Sequence, residues 1–140
     1  MAKALGIDFG KKRIGLAISD SLQIIASALC TVDTSDFFTF IKDLLAKEEI
    51  DCFVVGEPKN LDGTPTDSTQ ITQNFVKKLS KKYPQIPIKR IDERFTSKIA
   101  KQSILDAGIK KIKRRDKSLV DKVSAAIILQ SYLDLNTAHI

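Results

Sequence analysis

The chain opens with three short apolar segments, ALGIDFG, RIGLAIS and IIASALCTV, separated by the polar connections GKK and SDSLQ. Connections that short join antiparallel neighbours, so the first quarter of the chain predicts a β-meander. The period then changes. In SDFFTFIKDLLAKEEI, Phe37, Phe38, Ile41, Leu44 and Leu45 recur every three to four positions, the stripe of an amphipathic helix behind a serine or aspartate cap. DCFVVG, a continuous apolar run, predicts a buried strand.

The stretch EPKNLDGTPTDS, residues 57–68, has proline, glycine and polar residues without periodicity, which predicts a long connection of the kind that often carries function. A helix bearing Ile71, Phe75, Val76 and Leu79 follows, then a strand in IPIKRID and a helix from about Thr96 to Ala107. The basic segment IKKIKRRDK precedes a last helix from Ser118. No internal repeat appears. The order βββαβαβαα predicts one α/β domain over residues 1–140: a mixed five-stranded sheet, three antiparallel strands then parallel ones, with helices on both faces. The first strand falls in the middle of that sheet.

At 140 residues the chain is long enough to bury such a core without staples. Its apolar fraction of 43% excludes a disordered chain, and its apolar runs are too short to span a bilayer. The opening MAKALGIDFGKKR lacks the features of a secretion signal, so a cytoplasmic location is expected. Cys30 and Cys52 sit in apolar surroundings and are expected as free, buried thiols. The net charge of +6 favours a polyanionic partner, although many basic proteins bind none.

Against this pattern Asp8 is out of place, because an ionised carboxylate inside a buried strand needs a strong partner. A turn cap over Gly10-Lys11-Lys12 or a lysine pair would satisfy it. Two further acids raise another possibility. Glu93 follows a strand in RIDERFTSKIA, where sites collect beyond strand ends, and Asp121 opens the last helix in SLVDKVSAAIILQ, beside Ser124, Ala125 and Ile128. Each has a plainer reading, a surface ion pair of Glu93 with Arg94 and a capping box of Ser118 with Asp121. Three carboxylates at the edge of one sheet share a rationale in divalent-metal binding, since hard Mg²⁺ or Mn²⁺ takes oxygen ligands and clustered carboxylates are costly without a cation.

The segments GIDFGKKRIGLAISD, VVGEPKNLDG, IDERFTS and DKVSAAIILQSYL, in this order over nearly the whole chain, resemble the YqgF family, also called RuvX. The resemblance implies a ribonuclease H-like fold related to that of the Holliday junction resolvase RuvC, and a nuclease activity that matures the precursor of small-subunit ribosomal RNA. It also implies that Asp8, Glu93 and Asp121 are the catalytic, metal-binding acids. Glu57 departs from the family pattern, which usually has an apolar residue there; a loop acid is the favoured reading over a supplementary ligand.

Arg13 and Arg94 are suited to bidentate phosphate contact, with Lys12 beside them, and for each a surface ion pair is the alternative. The basic segment offers Lys110, Lys111, Lys113, Arg114 and Arg115 as further phosphate contacts, supplying affinity rather than sequence choice. His139, the one histidine, stands in the terminal NTAHI and is a poor general base. Two rival classes share some of these features. An actin-like ATPase also begins with a strand, D-x-G and a hairpin, but needs a second subdomain; a non-catalytic RNA-binding factor would not need three acids. The expected partner is nucleic acid, structured RNA ahead of branched DNA, with no membrane.

Overall fold

A computed structural model of the protein describes residues 2–58, 62–93 and 117–137, the side chains of 117–121 and 137 apart. Strands β1 (Lys3–Asp8), β2 (Arg13–Ser19) and β3 (Ala26–Asp33) form the expected antiparallel meander. After a 3-10 turn over Thr34–Asp36 come α1 (Phe37–Lys47), β4 (Ile50–Glu57), α2 (Asp67–Lys82), β5 (Ile88–Asp92) and α3 (Lys117–Thr137). The sheet order is β3-β2-β1-β4-β5, with β4 parallel to β1 and β5 parallel to β4, so β1 is central as the pattern predicts.

Alternation along the strands divides the core into two layers. Ala4 of β1, Ala17 of β2, Cys52 and Val54 of β4 and Ile91 of β5 meet Ala125, Ile128, Leu129 and Leu133 of α3. Leu5 and Ile7, Ile14 and Leu16, and Phe53 and Val55 face the other way, against Phe37 and Ile41 of α1 and Phe75 and Leu79 of α2. Small residues bring α3 close to the sheet. A Cβ built on Gly6 would lie 2.7 Å from the Leu129 Cβ and 2.9 Å from the Ala125 carbonyl oxygen. Both cysteines are free thiols; Cys52 is buried and burial pushes its thiol up to about 11, while Cys30 is half-buried.

Several expectations need correction. Glu57 belongs to β4, paired in register with Asp92, and not to the loop. The third strand starts at Ala26, two residues late, because Asp20 Oδ1 accepts hydrogen bonds from the backbone N–H of Ile24 and Ile25 at 2.8 and 2.9 Å and holds them in the connection. The two residues are 50% and 61% exposed, so this part of an apolar run is not core. Asp36 occupies the N-cap position of α1 but makes no side-chain cap bond. In α2 the start is fixed by a reciprocal pair: Thr66 and Thr69 bond each other's backbone N–H, and Thr69 Oγ1 also donates to the Pro58 carbonyl at 2.6 Å. The helix expected over about 96–107 lies outside the described residues.

Candidate active site

Asp8 ends the central strand on the same face as Ala4 and Gly6, the face that α3 covers. Register places its neighbours. Ile7 pairs with Val55, so one step further Asp8 stands beside Gly56 of β4, and Gly56 in turn pairs with Ile91 of β5. Glu93 follows β5 directly and its side chain folds back over Gly56: a Cβ built there would be 3.2 Å from both Glu93 Cγ and Cδ, and 2.7 Å from Ile128 Cδ1. The missing side chain at position 56 therefore leaves room for the Glu93 carboxyl to lean towards the strand that carries Asp8. This glycine went unremarked in the sequence, where VVGEP reads only as a strand end.

The third acid approaches from above. Gly6 packs on Ala125 and Leu129, and Asp121 precedes Ala125 by one turn of α3, while Asp8 follows Gly6 by two residues of β1. The Asp121 backbone thus lies towards the end of the sheet where Asp8 and Glu93 stand; its side chain is outside the described set. Asp8 and Glu93 suit a hard divalent cation by donor chemistry. Both offer carboxylate oxygens, and burial makes the charge of Glu93 costly without a cation. Burial is the main cause of a raised Glu93 carboxyl, with Asp92 pushing the same way and Arg90 opposing. Among the described residues no group of three His, Cys, Asp or Glu side chains gathers at one point.

Arg90 is a second feature the sequence did not single out. From β5 its guanidinium donates to the carbonyls of Val55 at 3.3 Å and Gly56 at 3.4 Å and to Gln73 Oε1. Burial lowers its ordinary value, and the charges of Glu57 and Glu93 oppose that shift. It fastens the two parallel strand ends and puts a cation beside Glu93. Of the other expected residues, Arg13 is half-buried on the α3 face, in the β2 row with Gly15 and Ala17, near Asp8. Lys12 is exposed in the β1–β2 turn, where its carbonyl accepts the Thr34 N–H at 3.0 Å. Arg94, Lys110, Lys111, Lys113, Arg114, Arg115 and His139 lie outside the described residues.

A mixed sheet whose central strand ends in an acid, with a second acid after the edge strand and a long helix across that face, belongs to the ribonuclease H-like class of folds. RuvC of Thermus thermophilus, solved in complex with a Holliday junction substrate, superposes with a TM-score of 0.58 over 98% of this chain and 96% of its own, at 13% identity. The fowlpox virus Holliday junction resolvase gives 0.57 over 95% and 99%, also at 13% identity. Within that class the chain belongs to the RuvX family, whose model, described as a Holliday junction resolvase, matches residues 2–135. A protein of Christiangramia forsetii is 50% identical over 95% of this chain and 98% of its own length, and one of Porphyromonas gingivalis 48% identical over 96% and 97%. Both bear the name "Putative pre-16S rRNA nuclease".

Proposed function

We propose that this chain is a nuclease that hydrolyses phosphodiester bonds in the precursor of small-subunit ribosomal RNA, with Asp8, Glu93 and Asp121 as its catalytic acids. The observation that carries this is the Glu93 carboxyl lying over Gly56, in the strand row next to Asp8. The family and the names of its members supply the substrate class. The three acids would hold Mg²⁺ or Mn²⁺, which when bound activates water and stabilises the leaving oxygen. Asp8 and Glu93 set the ligand oxygens on one sheet face, Arg90 holds the β4 and β5 ends together, and Arg13 offers a cation to the scissile strand's phosphate. Lys12, Arg94 and the basic run Lys110, Lys111, Lys113, Arg114 and Arg115 extend that phosphate contact. The setting is the cytoplasm; among the described residues no helix is long and apolar enough to cross a membrane.

Cleavage of branched DNA is the second reading, favoured by the likeness to a RuvC fold seen on a Holliday junction. The test is cleavage of a precursor-rRNA fragment and of a four-way DNA junction in parallel, with Mg²⁺, Mn²⁺ or chelator. Wild type should cut the RNA with metal only, and Asp8→Asn should cut neither. Equal cutting by Asp8→Asn sinks the site; cutting of the junction alone moves the substrate to DNA.

A further inference from the structure

On the face of the sheet opposite α3, a cleft of about 580 Å³ opens between the start of α1 and the middle of α2. Four of the chain's seven phenylalanines meet there. Phe9 stacks on Phe75 with ring centroids 4.5 Å apart and planes at 21°, while Phe37 meets Phe75 edge-on at 5.1 Å. Phe37 and Phe75 are buried and serve the core. Phe9 and Phe38 are half-buried and line the cleft, so part of their ring surface stays open to a ligand.

Among the described residues the charge lining the cleft has one sign: Lys11 and Lys78 line it and no described carboxylate does. Lys82, one turn beyond Lys78 on α2, sits 5.0 Å from the Phe38 ring centre. Thr34, Ser35 and Asn74 add polar groups. Open aromatic faces between lysines match the chemistry of an unpaired polynucleotide, whose bases stack on rings and whose phosphates meet ammonium groups. A duplex offers no free base faces. Phe9 follows Asp8 directly, so the cleft opens at the same end of β1 as Asp8 but on the opposite face of the sheet.

We infer that this cleft holds an unpaired RNA segment that passes over this end of the sheet from the scissile bond, with bases against Phe9 and Phe38 and phosphates against Lys11 and Lys78. The inference rests on the nuclease reading and narrows its substrate to phosphodiesters with a single-stranded flank. Binding of a fluorescein-labelled octa-adenylate RNA to the full chain, followed by anisotropy in chelator, tests it without turnover. Phe38→Ala should weaken binding about tenfold. Phe38→Leu, which keeps apolar bulk but loses the ring, should weaken it similarly and guards against a folding defect. Replacing Lys11 and Lys78 together by alanine should flatten the dependence of log affinity on log salt by about 1.4, at about 0.7 per phosphate contact. Lys47→Ala, exposed at the far end of α1, should bind as wild type.

Wild-type affinity in both Phe38→Leu and the lysine double variant, or no binding by wild type, overturns the cleft assignment. Cleavage of the precursor fragment with Mg²⁺ is read separately. Loss of octa-adenylate binding in the variants of a protein that never cuts RNA would uphold the cleft and overturn the nuclease reading. Normal cutting with unchanged binding would do the reverse.

Discussion

Burial raises the Glu93 carboxyl above its ordinary value although Arg90 attracts its charge, so the native state binds this proton more tightly than the unfolded chain does. Stability from that difference is present at low pH and is lost as pH climbs through the ordinary carboxylate range to the raised value. At pH 7 without metal, the ionised group is therefore a cost. Glu93→Gln should melt higher than wild type at pH 7 in chelator, and the difference should vanish by about pH 4. Thermal melts across that range check it; a lower melting temperature at pH 7 would mean that attraction to Arg90 outweighs burial. The same substitution should cut metal-dependent cleavage by about 10² or more, several kcal/mol of transition-state stabilisation. Mg²⁺ or Mn²⁺ should raise the melting temperature of wild type but not of Asp8→Asn, since a ligand that binds only the native state stabilises it.

The seat of α3 on the sheet depends on two glycines that differ in what surrounds them. Around Gly6 the close atoms are the Leu129 Cβ and the Ala125 carbonyl of the helix itself, which cannot move without lifting α3. Around Gly56 they are the ends of Ile128 and Glu93, which can rotate away. Gly6→Ala should therefore cost about 2–3 kcal/mol in urea denaturation, the range of an overpacked core. Gly56→Ala should cost about 1 kcal/mol yet remove most cleavage, because the methyl displaces the Glu93 carboxyl. Equal losses of stability with retained activity at position 56 would contradict this account of the site. Gln130 supplies a further tie at this scale. Its side chain accepts the Ala26 N–H at 2.8 Å and donates to the Ile24 carbonyl at 3.0 Å, joining α3 to the edge of the meander.

Across the whole molecule the excess of cations is uneven. Six lie between Lys110 and Lys117 against one acid, and four lysines crowd the second half of α2. If the first group contacts phosphate, replacing Lys113, Arg114 and Arg115 by alanine should flatten the salt slope of RNA binding by roughly two units, at about 0.7 per contact, and weaken different sequences alike. Metal-induced stabilisation should not change in that variant. An unaltered slope would return the run to a solvated face and leave the carboxylate site intact. Comparison with the Lys11 and Lys78 variant would apportion the salt dependence between the two groups of cations.

The sequence by itself determined the order of the described elements, the central place of the first strand and the free thiols, and it singled out the three acids proposed for the site. Those properties are carried by local periodicity, by turn length and by motifs that survive as text. The tertiary structure alone decided that Glu93 crosses Gly56 towards the strand of Asp8, because pairing between β1, β4 and β5 joins residues 35 to 48 positions apart and leaves no local mark. It also moved Glu57 from a loop into a strand, through its pairing with Asp92, and put Ile24 and Ile25 outside the core, where Asp20 holds their backbone. Arg90 and the Phe9 cleft stayed hidden for the same reason: an arginine within IKRID and scattered phenylalanines read as ordinary strand and core until the fold brings their partners beside them.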